Sequence, residues 1–252
     1  MKKILAVAFV LLTLNAAFAQ NQKDSTTTKK TEKKEKKDWS KVLLGNRAAD
    51  HFMIQIGYDN WSGKPDTITT VGFSRSFNFY VMFDFPFKTD PRFSVGAGLG
   101  IGSSNIFFDK QEVLVAALNP TLAFPNTANS DHFKKYKLVS TYLDIPLELR
   151  YAFNPENMNK SWKIALGAKT GFLLSTYTKG KNQLNAAGQT LNTFIEKESA
   201  KKYFNGVRLS PMIRVSYGVF GIYFQYQVTP FIKTQYGPAI YPYAIGIVLS
   251  GL

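Results

Sequence analysis

Cysteine is absent from the 252-residue chain. That excludes disulfide scaffolds, thiolate metal sites, cysteine nucleophiles and a lipid-anchored cysteine at a processed N-terminus. Histidine is nearly absent as well, with only His51 and His132. General-base chemistry and zinc ligation both lean on imidazole, and no H-E-x-x-H motif occurs. No catalytic residue, metal or cofactor is therefore expected. Charged residues make up 19%, below the usual share of about a quarter for a soluble domain. Beyond residue 19 no window is apolar enough for a membrane helix. Aromatic residues, by contrast, are plentiful at 15%, with 21 Phe and 13 Tyr. Scarce charge beside abundant aromatics points to a surface that does not face water.

Residues 1–19 read MKKILAVAFVLLTLNAAFA: two lysines, an apolar run from Ile4 to Leu14, and a small-residue site at Ala17-Phe18-Ala19. This three-part form predicts a secretory signal peptide cleaved before Gln20. Residues 20–41 carry eight lysines against four acids and almost nothing apolar except Trp39. Such a stretch buries too little to offset its ordering entropy, so it reads as a disordered basic tether in the periplasm. A short lead-in at 42–50 follows, and 51–252 reads as one domain. The net charge of +14 divides into +2 in the signal, +4 in the tether (eight lysines less four acids) and the remaining +8 over the domain. Nucleic acid is not an expected partner, because no recognition-helix, zinc or aromatic-platform motif is present.

From residue 51 onward the pattern has period two. In Arg92–Gly102, Phe93, Val95, Ala97, Leu99 and Ile101 alternate with Ser94, Gly96, Gly98, Gly100 and Gly102. In Lys137–Tyr151, Val139, Leu143, Ile145, Leu147 and Leu149 alternate with Ser140, Tyr142, Asp144, Pro146, Glu148 and Arg150. The same alternation marks 51–60, 71–85, 162–176, 205–217, 220–228 and 243–250, giving eight predicted strands. Short turns (PFKTDPR, NPENMNKS and the reversal at Gly218) alternate with longer stretches (SGKPDTITT, 103–136, 179–204 and TPFIKTQYGPA). An even-stranded antiparallel meander with alternating short and long connections predicts an eight-stranded up-and-down transmembrane β-barrel, with short turns and termini in the periplasm.

Alternation alone does not say which face is wet. In a soluble lipocalin-like barrel the apolar face would point inward, and a stripe of glycines would have to serve as surface. In a narrow membrane barrel, small inward residues leave room for long side chains from across the lumen. The charges expected there are Asp84, Asp144, Glu148, Arg150, Lys163, Lys169, Arg208 and Arg214, read as a structural ion network filling the lumen, with a gate or proton path as the rival. Tyr58, Trp61, Phe85, Phe93, Tyr151, Trp162, Tyr217, Phe220 and Tyr243 fall near strand ends, where interfacial girdles belong. Arg75 is the one charge on a greasy face and lies near a strand end, from which it can snorkel to lipid phosphates.

The segment Ser140-Thr141-Tyr142-Leu143-Asp144-Ile145-Pro146-Leu147-Glu148-Leu149-Arg150-Tyr151 resembles the PorT-like outer-membrane β-barrel family of Bacteroidota, whose members carry a comparable Y-L-E/D-I/F-P-L stretch at the fourth strand. The resemblance implies an outer-membrane location and an eight-stranded fold without implying an activity. The chain departs from the family in ending Ser250-Gly251-Leu252 rather than on an aromatic, and in its lysine-rich tether. Its expected partners are outer-membrane lipid and, through the loops or the tether, other outer-membrane or periplasmic proteins. The expected role is structural, adhesive or accessory to secretion or uptake. A small-solute channel and a membrane-embedded lipid-modifying enzyme built on His132, Asp131 and Ser140 are the competing readings.

Overall fold

The computed structural model describes residues 52–71 and 73–251. The expected signal peptide, tether and lead-in, with His51, lie outside the described residues. Among the described residues nine strands form: β1 (Phe52–Ser62), β2 (Arg75–Pro86), β3 (Phe93–Phe108), β4 (His132–Ala152), β5 (Trp162–Leu184), β6 (Thr190–Ser199), β7 (Val207–Tyr217), β8 (Phe220–Tyr226) and β9 (Tyr241–Ser250). A 3-10 turn, Met158–Lys160, sits between β4 and β5.

Eight of these strands close into an antiparallel ring in the order β1-β2-β3-β4-β5-β7-β8-β9. The seam joins the first strand to the last, from Met53↔Ser250 to Ser62↔Tyr241. The ninth, β6, stands outside the ring and folds a region read from sequence as loop. The lower part of β5 pairs with β7 (Trp162↔Tyr217 to Phe172↔Val207), whereas its upper part pairs with β6 (Tyr177↔Ser199 to Leu184↔Thr190). Because β4 follows β5 up to His132↔Leu184, the three strands β4, β5 and β6 project as a small sheet beyond the ring. A tilted membrane strand needs only about 9–11 residues, so the 21 residues of β4 and 23 of β5 reach well past the bilayer.

The period-two pattern sorts the side chains. Phe77, Phe79, Phe83, Leu99, Ile101, Ile145, Leu147, Leu166, Ile213, Ile222, Ile245 and Ile247 are exposed on the outer face, while Gln55, Asn78, Asp144, Glu148, Lys169 and Arg214 are buried within. Aromatics ring the short-turn end: Phe93 and Tyr151 lie with centroids 4.9 Å apart, and Trp162 and Tyr217 at 5.4 Å. Trp61 does not join a girdle. It is only 4% exposed and packs among Phe108, Phe124 and Phe231, because it lies on the inward parity of β1 with Met53, Gln55 and Asp59 and the loops fold over it.

Those loops form a second apolar core at the long-loop end. Trp61, Ile68, Ile106, Phe108, Val113, Val115, Leu122, Tyr136, Leu138, Tyr203, Phe204, Phe231, Ile232 and Ile240 bury together. Residues from every long connection take part. Backbone bonds Leu122 N–H to Tyr236 O (2.8 Å), Asn205 N–H to Phe231 O (3.0 Å) and Phe231 N–H to Ile240 O (2.7 Å) lace the loops to one another. Trp61→Ala is expected to weaken this cap by about 3–5 kcal/mol, the usual cost of truncating a buried Trp, while leaving the strand ladder intact. Limited proteolysis checks it: the 109–131 loop becomes cleavable and the barrel strands stay protected.

Candidate functional site

Lumen-facing positions on β2, β4, β5 and β7 bring the charges together in two layers. In the middle layer the Asp144 carboxylate (β4) accepts three bonds from Arg208 (β7): Nη2 to Oδ2 at 2.7 Å, Nη2 to Oδ1 at 2.9 Å and Nε to Oδ1 at 3.1 Å. Lys169 (β5) places Nζ 3.5 Å from Asp144 Oδ2 and donates to Tyr80 OH at 3.0 Å, and Tyr80 in turn donates to Asp144 Oδ2 at 3.1 Å. The Arg208 guanidinium stacks on Tyr142, 3.9 Å from its ring centroid. Asp144 and Lys169 are 0% exposed, so this layer crosses the lumen without open water around it. Glycine makes the crossing possible. A Cβ on Gly171, the in-register neighbour of Asp144, would run into the Asp144 carboxylate and Arg208, and one on Gly102 would fall 2.6 Å from Asp144 Oδ2.

The second layer lies nearer the short turns. Glu148 Oε2 accepts from Arg214 Nη2 at 2.7 Å and from Arg150 Nε at 2.8 Å, and Arg150 Nη1 reaches Asp84 Oδ1 at 3.4 Å. Lys163 is buried beside them and lines the same small cavity as Asp84, Arg150 and Arg214. All eight charges expected from sequence thus face the lumen. Sequence reasoning left out Asp59, Tyr80 and Tyr142, although each sits on the inward parity of its strand. Asp59 is buried against Ser104, whose hydroxyl donates to its Oδ2. Counting Asp59, four carboxylates (Asp59, Asp84, Asp144, Glu148) face five cations (Arg150, Lys163, Lys169, Arg208, Arg214), leaving the interior close to neutral.

Above the middle layer a cavity of about 20 Å³ is lined by Asp59, Ser76, Asn78, Tyr142, Arg208 and Gln225, room for a water molecule or two. Asp59 Oδ1, Tyr142 OH and Gln225 Oε1 have no protein partner, which suits them to such water. His132 is not assembled into a triad. Its Nδ1 lies 3.0 Å from the Ser130 carbonyl, Asp131 is exposed, and Ser140 is roughly 27 Å along β4 at about 3.4 Å per residue.

The projecting sheet carries a different cluster. On its inner face Glu112, Glu196 and Glu198 line a cavity of about 170 Å³ with Phe133, Tyr136 and Thr178. Burial, reinforced by the Glu196 and Glu198 carboxylates, pushes the Glu112 carboxyl above its ordinary range.

The chain matches the family described as "Outer membrane protein beta-barrel domain" over residues 18–236. The chain belongs to this family. It is therefore an outer-membrane β-barrel protein. Two solved structures of Ail, the attachment invasion locus protein of Yersinia pestis, are also similar. The one in complex with the heparin analogue sucrose octasulfate is 11% identical and covers 79% of this chain and 97% of that chain, with a TM-score of 0.35. The other is 14% identical and covers 80% of this chain and 99% of that one, with a TM-score of 0.33. No curated protein matches the chain.

Asp144→Asn leaves Arg208 and Lys169 facing each other in a closed lumen, and should cost about 3–5 kcal/mol, as breaking a buried pair does; urea unfolding from bicelles reads the loss. For Glu112 the folded carboxyl titrates above the unfolded one, so its contribution is fully present below the unfolded value and is lost as pH rises through the folded value. Hydrogen exchange in the 109–131 loop should accordingly slow as pH falls from neutrality, after correction for intrinsic rates, and Glu112→Gln should flatten that dependence.

Proposed function

We propose that the protein is a sealed, non-enzymatic barrel of the PorT-like branch of its family, acting as a structural, adhesive or accessory component through its folded long-loop end rather than through its lumen. The observation that carries this reading is the buried Asp144–Arg208–Lys169–Tyr80 layer lying beneath an apolar cap. An ion or solute would have to break both. The eight lumen charges act in this reading as a structural plug: Asp84, Glu148, Arg150 and Arg214 pair in one layer, Asp144, Lys169 and Arg208 pair in the other, and Lys163 lies buried beside the first.

The PorT-like assignment rests on the Tyr142-Leu143-Asp144-Ile145-Pro146-Leu147 segment, whose even-numbered members supply the stacking ring, the central carboxylate and a buried proline on the lumen face of β4. The orientation follows from loop lengths: short turns and both ends of the ring face the periplasm, and the long loops face outward.

Partner recognition falls to the outward loops, since loops on a rigid scaffold usually carry it. Leu118 is 97% exposed at the tip of the β3–β4 loop. The tip is held in place because Tyr203 OH lies 2.6 Å from the Ala117 carbonyl and 2.9 Å from that of Asn119. A fixed, solvent-facing leucine is a ready anchor for an apolar pocket on another protein.

The test is electrical. The refolded protein is expected to give no steady unitary conductance in a planar bilayer, and reproducible single-channel steps would overturn the sealed reading. Tagged protein isolated from outer membranes should also carry a partner that Leu118→Asp releases.

A further inference from the structure

The outer face of the projecting sheet gathers cations where the bilayer ends. Across four neighbouring strands Phe107 (β3), Lys137 (β4), Lys179 (β5) and Lys197 (β6) stand opposite one another in register: Phe107↔Lys137, Lys137↔Lys179, Lys179↔Lys197. Three lysines in one cross-strand row are unfavourable, because like charges directly opposite destabilise a sheet. Arg75, one row below, adds to the repulsion, and both Lys179 and Arg75 bear electrostatically on Lys137. None of the four has a carboxylate ion-pair partner among the described residues.

The acids of β6 do not relieve them. In Ile195-Glu196-Lys197-Glu198 the alternation of the strand sends Glu196 and Glu198 to the opposite face, into the cavity with Glu112, and leaves Lys197 outside. The sheet thus separates charge by sign. Aromatic rings support the outer cations: Arg75 and Lys137 lie 5.4 Å and 5.6 Å from the Phe107 centroid, and Lys197 lies 4.2 Å from that of Tyr177. Lys137 is steadied further by donating to Asn105 Oδ1 at 2.7 Å.

Height places the row. At about 3.4 Å per residue and a tilt of about 40°, each strand residue climbs roughly 2.6 Å. Counted up β4 from the girdle residue Tyr151, an apolar band about 25 Å tall ends near Thr141. Lys137 then stands roughly 10 Å above that edge, at headgroup level by the same spacing. Below it on the same parity, past Val139 and Thr141, come Leu143, Ile145, Phe172 and Leu174, so the row stands just above the face that lipid covers.

We propose that Lys137, Lys179 and Lys197, with Arg75, bind the phosphate groups of phosphorylated lipid headgroups in the outer leaflet. The choice of leaflet rests on the outward orientation of the long-loop end given above. The bound anions cancel a repulsion that the strand register otherwise imposes, and the rings of Phe107 and Tyr177 pack beside the headgroup.

The test uses the full chain in phosphatidylcholine bicelles, with and without bis-phosphorylated lipid A. Lipid A should raise the thermal unfolding midpoint of the parent and leave that of Lys137→Gln/Lys179→Gln/Lys197→Gln unmoved. Retention of lipid A should fall by roughly a hundred-fold in the Gln variant, from about fivefold per lysine at an anionic surface. Without lipid A the Gln variant should unfold no earlier than the parent, since it loses only mutual repulsion, and the corresponding triple Arg variant should keep the response. Equal midpoint shifts in the parent and the Gln variant would overturn the proposal. So would a parent response to soluble dextran sulfate with none to lipid A, which would mark a polysaccharide surface instead. The bicelle has no sidedness, so orientation is read separately: Leu118→Cys should react with an impermeant maleimide on intact cells, and failure there would overturn the outer-leaflet assignment alone.

Discussion

Hydrocarbon offers no partner for a backbone N–H or C=O, so a sheet that crosses a bilayer must have no open edge. Here the seam between β1 and β9, ten residue pairs from Met53↔Ser250 to Ser62↔Tyr241, removes the last one. The arrangement inside the bilayer follows from that closure. Once eight strands close, each strand has one face toward lipid and one toward a lumen just wide enough for side chains. Phe79, Leu99 and Ile145 can stay exposed because lipid covers them, and polar groups as long as Arg208 and Lys169 must find partners inside.

The inner face answers that demand with residue size as well as charge. Gly102 and Gly171 bear no side chain beside Asp144, and Arg208 and Lys169 extend into the space they leave. A glycine stripe and a set of long charged side chains are thus two halves of one packing solution. Past the bilayer the rule changes, because water can pair the edge of a sheet. There β5 leaves its neighbour β7 and takes β6 instead, and the loops bury a core of the kind found in soluble domains.

This change of solvent explains what could be read in advance. Strands inside the bilayer alternate greasy and polar, and all eight of the ring, together with the inward direction of Asp84, Asp144, Glu148, Arg150, Lys163, Lys169, Arg208 and Arg214, follow from that alternation alone. β6 escaped because its apolar residues Leu191, Phe194 and Ile195 do not recur at period two, and Glu196-Lys197-Glu198 alternates in sign, not in hydropathy. Trp61 was misplaced because its position near a strand end outweighed its parity. It shares the inward parity of Met53, Gln55 and Asp59, and Phe108, Phe124 and Phe231, from distant segments, cover it there. Tyr80 escaped as a partner of Asp144 because parity gives direction but not depth.

A lumen filled with apolar side chains would seal as well as one filled with ion pairs, so the charges need a further reason. It lies in register. A slip of one residue in β4 or β5 would turn every inward side chain outward, carrying Asp144, Glu148 and Lys169 into lipid. Near the midplane each lysine or arginine on the lipid face costs about 2–4 kcal/mol, and its former partner would be left unpaired in the lumen. An apolar lumen would carry no such penalty, because Leu or Val is at home on either face. The ion layers therefore contribute little net attraction over an apolar filling and a great deal of discrimination against the neighbouring registers. The same alternation, continued past the membrane, parts Glu196 and Glu198 from Lys197, so that the device that fixes the barrel inside the bilayer also sets the sign of the surface above it.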